Sequence, residues 1–268
     1  MVDGVGVSAM TPKDPRKKEK AAVTQSKAVD ETEVVGQSTL ADALPGIQSF
    51  TPKLAILPPA QKSLWPALHP LIGMGFVLYG GTAVALRLGH RESVDFDFFT
   101  ERRFDPGALL AALPFGKGAQ VLQEEPNTLT LLVDVPGRGV KVSFFGGFPG
   151  RVAAPEITKD GALLAASMTD LLATKLKVMF DRVERKDYLD IYGILASGIT
   201  LEEGLAAAIA LYGRAFQPAN ALRGLAYFKD GDLSALPAKV RKFLAAASAK
   251  VDSLPPTPRI HPILGVGP

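Results

Sequence analysis

The chain has 268 residues, of which 47% are hydrophobic and 21% are charged, so it can bury a core and is neither fibrous nor wholly disordered. It contains no cysteine, which excludes disulfides, thiolate zinc sites, iron–sulfur clusters and cysteine nucleophiles. With only three histidines, any metal site would rest on oxygen ligands, and these favour Mg²⁺ or Mn²⁺.

The net charge of +3 lies mostly near the N-terminus, where residues 1–30 carry six basic and four acidic side chains. Residues 1–45 show no hydrophobic period, and we predict a disordered basic tail there. The uncharged stretch 63–86 is long enough to cross a bilayer, but prolines and glycines interrupt it repeatedly. The sequence therefore predicts a cytoplasmic protein with no membrane partner.

The first half of the remaining chain is typical of strands and turns. Residues 75–79 predict a short strand before two glycines, and residues 82–89 a helix closed by glycine. Residues 93–100 predict a strand with acids at alternate positions. Residues 128–135 and 139–145 predict a hairpin, because Pro136, Gly137 and Arg138 form a turn signal between two β-type runs.

The second half is helical. A helix is predicted from residue 168 to about 183 with Thr169 as its N-cap, and a second over 186–197. Thr200 and Glu203 form a capping box that opens a third helix, and shorter helices are expected near 219–228 and 237–250. Residues 254–268 contain five prolines and predict an irregular tail.

The pair Asp95 and Asp97 carries the strongest chemical signal. Two residues apart on a strand, both carboxylates point to one side, and a divalent cation would neutralise them. The pair Gly80 and Gly81 opens a helix, where free N–H groups favour phosphate. A phosphate cradle beside metal-binding carboxylates indicates phosphoryl or nucleotidyl transfer. An acidic surface strand is the alternative, which the flanking phenylalanines disfavour.

This pattern of glycine pair, thirteen-residue gap and alternating aspartates resembles the DNA polymerase β-like nucleotidyltransferases. Within that superfamily, GGTAVALRLGHRESVDFDFF and TKLKVMFDRVERKDYLDIY resemble the AbiEii/AbiGii toxin family, which includes the MenT toxins. The resemblance covers residues 64–197. It implies an α+β fold: a minimal nucleotidyltransferase core of mixed sheet and helices over 46–160, then a helical bundle over 161–253.

The resemblance also implies a Mg²⁺-dependent (or Mn²⁺-dependent) enzyme that uses an NTP. Its partners would be NTP, a tRNA 3′ end or protein hydroxyl as acceptor, and a cognate antitoxin. Catalytic roles would fall to Lys175, Asp187 and Asp190 together with the metal ligands Asp95 and Asp97. The predicted nucleotide-binding residues are Gly80, Gly81, Thr82, Arg91 and Ser93.

Several of these residues have structural alternatives. Lys175 could be a solvated helix lysine, with Lys177 as competitor. Asp187 could pair with a nearby arginine, Arg91 could stabilise a turn, and Thr82 could only open the helix.

The third carboxylate of the superfamily is missing, because Ser143 stands where an acid is expected. Asp134, Asp187 or Asp190 could replace it as general base. If none does, a nucleotide-binding protein without transfer activity is the second hypothesis. An RNA-binding module that uses the basic tail, Lys13 to Lys20, is the third.

Overall fold

The computed structural model describes residues 47–136 and 138–265. The predicted tail 1–45 and the last three residues of the predicted tail 254–268 lie outside this range. The described residues belong to one compact unit, Ser38–Pro268. No helix in the described part of the chain is by itself long and apolar enough to cross a membrane, although one bent pair, Arg185–Ala196 with Leu201–Ala215, meets that test jointly.

A mixed sheet forms the centre of the described fold, with spatial order β1-β7-β8-β2-β3-β6-β5-β4. In chain order its eight strands are β1 Ser49–Phe50, β2 Val77–Tyr79, β3 Asp95–Phe99, β4 Gln120–Glu125, β5 Thr128–Val133, β6 Val140–Phe145, β7 Glu156–Thr158 and β8 Leu164–Ala165. Strand β3 runs parallel to β6 and antiparallel to β2. The aspartate strand is therefore central, with a neighbour on each side.

Nine α-helices are found in the same described residues. They are α1 Pro59–Leu64, α2 Pro70–Gly73, α3 Gly80–Leu88, α4 Pro106–Ala112, α5 Met168–Val178, α6 Arg185–Ala196, α7 Leu201–Tyr212, α8 Pro218–Leu225 and α9 Ala238–Ala249. Helix α3 packs against α5 and α6, and α5 packs along α7. These contacts hold the helical half against the strand–helix turn that begins with the glycine pair.

The alternation of side chains along β3 separates the core from the functional face. Phe96 and Phe98 are completely buried, and Phe98 stacks on Phe144 of β6 with ring centroids 5.7 Å apart. Asp95 and Asp97 occupy the intervening positions and are partly exposed. The buried phenylalanines therefore fix the orientation of the strand, and the carboxylates share its other face.

The structure confirms the mixed α+β fold, the hairpin of β5 and β6, and the capping box of Thr200 and Glu203. The N-cap prediction for α5 was wrong: the Ser167 hydroxyl, not Thr169, accepts from the Asp170 N–H. The predicted end of this helix at 183 was also wrong, since α5 stops at Val178. The residues that follow form a loop, and this loop carries Arg182 back toward the sheet.

The sheet also includes β8, which lies between β7 and β2 and comes four residues after the predicted core boundary at 160. Residues 251–260 form no helix or strand, but the chain then packs onto the core. His261 bridges to Arg151, Leu264 is completely buried, and the Leu264 N–H donates to Glu101 at 3.1 Å. The irregular segment is thus anchored where it ends.

Candidate active site

The aspartates of β3 lie beside a lysine that the sequence did not indicate. The parallel register places Asp95 opposite Lys141 of β6, and their charged atoms are 3.3 Å apart. No cation of the described residues lies within ion-pair distance of Asp97, although Lys175 and Arg182 are near enough to influence it. One carboxylate of the pair is thus partly neutralised, and the other is available to a ligand.

The two glycines before α3 are required by close approaches of side chains. Gly80 has a φ of +69°, and a Cβ there would lie 2.7 Å from an Asp97 carboxylate oxygen. A Cβ at Gly81 would overlap the Arg91 guanidinium. No side chain caps the N-terminus of α3. The glycine pair therefore brings a helix N-terminus with free N–H groups close to the Asp97 carboxylate.

The hydroxyls of Thr82 and Ser93 are directed into the protein. They bond each other at 2.7 Å, and the Thr82 hydroxyl donates to the Asp95 carbonyl. Both side chains are buried. This contact ties the first turn of α3 to the start of β3, so these two predicted nucleotide-binding residues position the acidic strand.

Lys175 is held by the two acids of the later motif. Its Nζ lies 2.7 Å from Asp187 Oδ1 and 2.7 Å from Asp190 Oδ2. Both aspartates are completely buried, whereas the lysine side chain keeps 5% of its surface exposed at the cleft. Asp187 and Asp190 therefore lie behind Lys175 and support it, and they do not line the cleft themselves.

Arginines on both sides complete this network. Arg91 makes two bonds to the Asp190 carboxylate, at 2.6 and 2.8 Å, and His90 Nε2 contacts the same group at 2.8 Å. Arg182 donates to Asp187 at 3.0 Å. Two buried negative charges thus face three fixed positive charges on Lys175, Arg91 and Arg182. The excess positive charge favours an anionic ligand.

The protonation of the two supporting acids follows from these contacts. Burial would raise the pKa of Asp187, but Lys175 and Arg182 outweigh it and hold that pKa below its usual value. Burial likewise opposes ionisation of Asp190, while the bonds from His90 and Arg91 and the charge of Lys175 hold its pKa well below the usual range. Both groups are ionised at neutral pH and are poor general bases.

Asp97 behaves in the opposite way. Burial, and then the neighbouring Asp95, raise the pKa of its carboxyl, and the opposing lysines and Arg182 only reduce this effect. A divalent cation between the two carboxylates would remove that cost. The described residues contain no group of three or more His, Asp or Glu placed to hold a metal. Two carboxylates nevertheless fit Mg²⁺, which commonly takes one or two together with substrate phosphates.

The register settles which residue stands in the position of a third acid. Ser143 of β6 is paired with Asp97, and Thr130 of β5 is paired with Ser143. Both side chains are buried. Asp134 follows the end of β5 and is exposed, so it does not belong to this row. Within the described strands, the neighbours of Asp97 in this row are therefore hydroxyls, and no third carboxylate lies there.

Two adjoining cavities meet at Asp97. The first, of about 320 Å³, is lined by Gly81, Arg91, Asp95 and Lys141 among others, and we call it the polar groove. The second, of about 470 Å³, has five aromatic side chains in its wall, and we call it the aromatic cavity. Its rings belong to Tyr79, Phe99, Phe145, Phe148 and Tyr212. Gly81, Asp97, Lys175 and Arg182 border both spaces, which makes them one continuous cleft.

Paired aspartates on a mixed sheet, a glycine-opened helix and a buried lysine on α5 thus meet at one cleft, the arrangement that the sequence motifs predicted for the nucleotidyltransferase class. The profile of the family described as nucleotidyl transferase AbiEii toxin, type IV TA system, matches residues 67–260. The chain belongs to this AbiEii family. This confirms the resemblance that the sequence motifs indicated.

A curated relative, the uncharacterized protein aq_aa25 of Aquifex aeolicus (strain VF5), is 31% identical over 141 residues, which are 50% of this chain and 66% of that protein. JHP933 from Helicobacter pylori has a solved structure with a TM-score of 0.46 and 19% identity, covering 71% of this chain and 89% of its own. An antigenic nucleotidyltransferase-like protein from Paracoccidioides brasiliensis has a TM-score of 0.46 and 16% identity, covering 71% and 92%.

Proposed function

We propose that this chain transfers a nucleoside monophosphate from an NTP to an acceptor in a Mg²⁺-dependent reaction. The observation that carries the proposal is the shared face of Asp95 and Asp97 beside the uncapped N-terminus of α3 and the ammonium of Lys175. These are the groups that an NTP with a bound metal requires. Family membership supports the same reaction class.

Each group has a role in this proposal. Asp95 and Asp97 would hold the cation, which supplies charge neutralisation at the α-phosphate and lowers the pKa of the attacking hydroxyl. The N–H groups of Gly80 and Gly81 would bind the terminal phosphates, with the arginine Arg91 nearby. Lys175 would stabilise negative charge that develops on the pyrophosphate leaving group.

Asp187 and Asp190 act in the proposal as positioning residues, because they contact Lys175 and Arg91 rather than the cleft. Ser143 and Thr130 are buried and line neither cavity, so they receive no role in the proposal. A hydroxyl could not remove the acceptor proton unaided at neutral pH, so the charge of the cation and of Asp97 would have to promote that step.

The acceptor is proposed to be a tRNA 3′ end or a protein hydroxyl, and the physiological role that of a toxin opposed by a cognate antitoxin. The family description, which names a toxin of a type IV TA system, supports this role. We propose the cytoplasm as the place of action because NTP and tRNA are available there.

The test is incorporation of label from each α-³²P-NTP, with Mg²⁺, into total tRNA and into the protein itself. Wild type is compared with Asp95→Ala/Asp97→Ala and with Asp134→Ala, an exposed acid outside the row of Asp97. We expect label from wild type and from Asp134→Ala, and at least about a thousandfold less from the double variant.

A nucleotide-binding protein without transfer activity is the second candidate, and the pairing of Ser143 with Asp97 favours it. In that case the wild-type protein would bind NTP but transfer no label to either acceptor. The RNA-binding hypothesis rests on Lys13 to Lys20, which lie outside the described residues. Deletion of 1–45 tests it: unchanged affinity for RNA would remove its basis.

A further inference from the structure

The aromatic cavity is the largest part of the cleft that the proposed chemistry leaves without a role. Four of its rings are partly exposed toward the open space: Phe99, Phe145, Phe148 and Tyr212. The rings that stabilise the core, such as Phe98 and Phe144, lie on the opposite face of the sheet. The cavity rings therefore do not belong to the core, and they leave apolar surface exposed beside a charged site.

The strand register fixes the distance between the charged and aromatic groups. Phe99 follows Asp97 by two residues on β3, and Phe145 follows Ser143 by two residues on β6, so all four share one face. At the rise of a β-strand, the aromatic row lies about 6.6 Å beyond the carboxylate row. A single sugar unit spans such a gap. A ligand with a sugar between a phosphate and a ring would thus place the phosphate at the carboxylate row and its own ring at the aromatic row.

The rings form a rigid surface. Phe99 and Phe145 lie 4.9 Å apart, centroid to centroid, as a cross-strand pair on the floor of the cavity. Phe148 contacts Phe99 at 5.2 Å and Tyr212 at 6.4 Å, in edge-to-face geometry. Because each ring is held by another, the surface is formed before a ligand arrives and loses little entropy on binding.

Charge shows which end of a ligand would lie where. The polar groove is lined by the cationic groups of Arg91, Lys141 and Lys186. The aromatic cavity has two further charged residues, Lys177 and Asp181, but they pair with each other at 3.0 Å and add no net charge among the rings. Lys175 and Arg182 lie where the two spaces meet. A ligand that fits both parts has a polyanionic end, a short linker and a flat apolar ring, and its linker passes over Asp97.

We propose that the aromatic cavity is the base-binding subsite for the NTP, with Phe99 and Phe145 as the stacking floor and Phe148 and Tyr212 at its side. This inference rests on the proposed function, because it assigns the other end of the same nucleotide. Stacking on aromatic rings tolerates any base. The cavity is also lined by polar groups that could contact a base edge, namely the hydroxyls of Tyr79, Tyr212 and Thr174 and the ion pair of Lys177 with Asp181. We therefore expect the subsite to accept every base, with these groups setting any preference among them.

The experiment measures binding by calorimetry in Mg²⁺. The probes are the α,β-methylene analogues of ATP and CTP, which cannot be turned over, and inorganic tripolyphosphate, which has no base. The variants are Phe148→Leu and Tyr212→Leu, tested in parallel so that failure of one to fold leaves the other. The matched control is Phe243→Leu, a ring that is 37% exposed and packs on Tyr192 outside the cavity.

We expect the wild type to bind both nucleotide analogues at least about tenfold more tightly than tripolyphosphate. Each cavity variant should weaken nucleotide binding by about tenfold and leave tripolyphosphate binding unchanged, and Phe243→Leu should change neither.

Nucleotide binding that survives in both cavity variants, or that is no tighter than tripolyphosphate binding in the wild type, would overturn the base subsite while leaving the proposed function intact. A wild type that binds neither class of probe would overturn the proposed function itself.

Discussion

At the scale of single residues, Gly81 decides whether the site can form. The Arg91 guanidinium occupies the space where a side chain at this position would lie, and it holds Asp190 in turn. From the sequence, the glycine pair indicated either a phosphate-binding helix start or a tight turn. The structure adds a steric reason, since the arginine that supports the buried network passes directly over the glycine.

We expect Gly81→Ala to destabilise the protein by about 2 kcal/mol or more, because the new methyl displaces Arg91 and weakens a buried ion pair. Urea unfolding at pH 7 measures this. Gly73→Ala is the matched control, since a Cβ there meets nothing within 4 Å. Equal stability of the two variants would show that Arg91 moves aside without cost.

We expect the ionised Asp97 carboxylate to lower the free energy of unfolding when no metal is bound. Its folded pKa is raised, so the charged form is disfavoured in the folded protein and the protein loses stability as pH rises through that pKa. Asp97→Asn should raise the Tm at pH 7 without Mg²⁺ by about 2–4 °C, the shift for about 1 kcal/mol in a domain of this size, and it should abolish nucleotide transfer.

Asp95→Asn provides the comparison, because it gives up the ion pair with Lys141 and should bring no such gain. Thermal unfolding followed by circular dichroism, with and without Mg²⁺, gives the Tm of each variant and so distinguishes their effects on stability. A lower Tm for Asp97→Asn in the metal-free protein would contradict the prediction.

The residues that could be predicted were those with a local signal. Asp95, Asp97 and the glycine pair combine a spacing with a turn or a strand pattern, which the chain displays within twenty positions. Lys141 carries no such signal, because its role depends on the register of β6 against β3. Arg182 depends on where α5 ends, and helix ends are weakly encoded.

At the scale of elements, the contact between α5 and α6 is a salt-bridge layer. Lys175 from one helix bonds Asp187 and Asp190 from the other, one turn apart. The two acids have folded pKa values below their ordinary value, so they stabilise the fold at neutral pH. That contribution is complete above about pH 4 and is lost as the pH falls further.

Asp190→Asn should therefore cost about 3 kcal/mol at pH 7, and the difference from wild type should shrink as the pH falls from about 4 toward 2. Urea unfolding over this pH series is the measurement. A difference that stays constant with pH would show that the acid acts by packing and not by its charge.

The N-cap of α5 offers a second prediction for an element. Ser167→Ala should destabilise the protein by about 1 kcal/mol, because the hydroxyl accepts from the Asp170 N–H and donates to the Asp170 carboxylate. Thr169→Ala, inside the first turn, should change stability by less than about 0.5 kcal/mol. Similar losses in chemical denaturation of the two variants would restore Thr169 as the cap.

The starts of two helices show which N-caps can be predicted from sequence and which cannot. Thr200 and Glu203 were identified as a cap because the reciprocal pair is itself a local pattern, two residue types three positions apart. Ser167 and Thr169 are both plausible caps by type, and only the backbone distinguishes them. The choice depends on where β8 ends, and β8 is a two-residue strand with no pattern of its own.

At the scale of the whole molecule, the sheet joins segments that are far apart in the chain. Strand β2 pairs with β3 on one side and with β8 on the other, and β1 pairs with β7. The order of these strands could not be predicted, because pairings between distant positions, such as Leu78 with Ala165 and Ser49 with Ile157, leave no periodic signal. Leu264 likewise contacts a residue far away in the chain, since its N–H donates to Glu101.

Leu264→Ala should reduce the free energy of unfolding by about 2–4 kcal/mol, because this side chain is completely buried in the hydrophobic core. Ile260→Ala, at a position that is 38% exposed, should cost less than about 1 kcal/mol. Equilibrium urea unfolding compares them, and equal losses would mean that Leu264 contributes no more than a surface residue.

The docking of this segment also bears on the timing of biosynthesis. The bond from Leu264 to Glu101 joins residues 163 positions apart. During translation, the central strands leave the ribosome long before the residue that completes their packing does. A nascent chain that already displays both aspartates of the acidic strand would thus remain short of its final stability until residue 264 has left the ribosome.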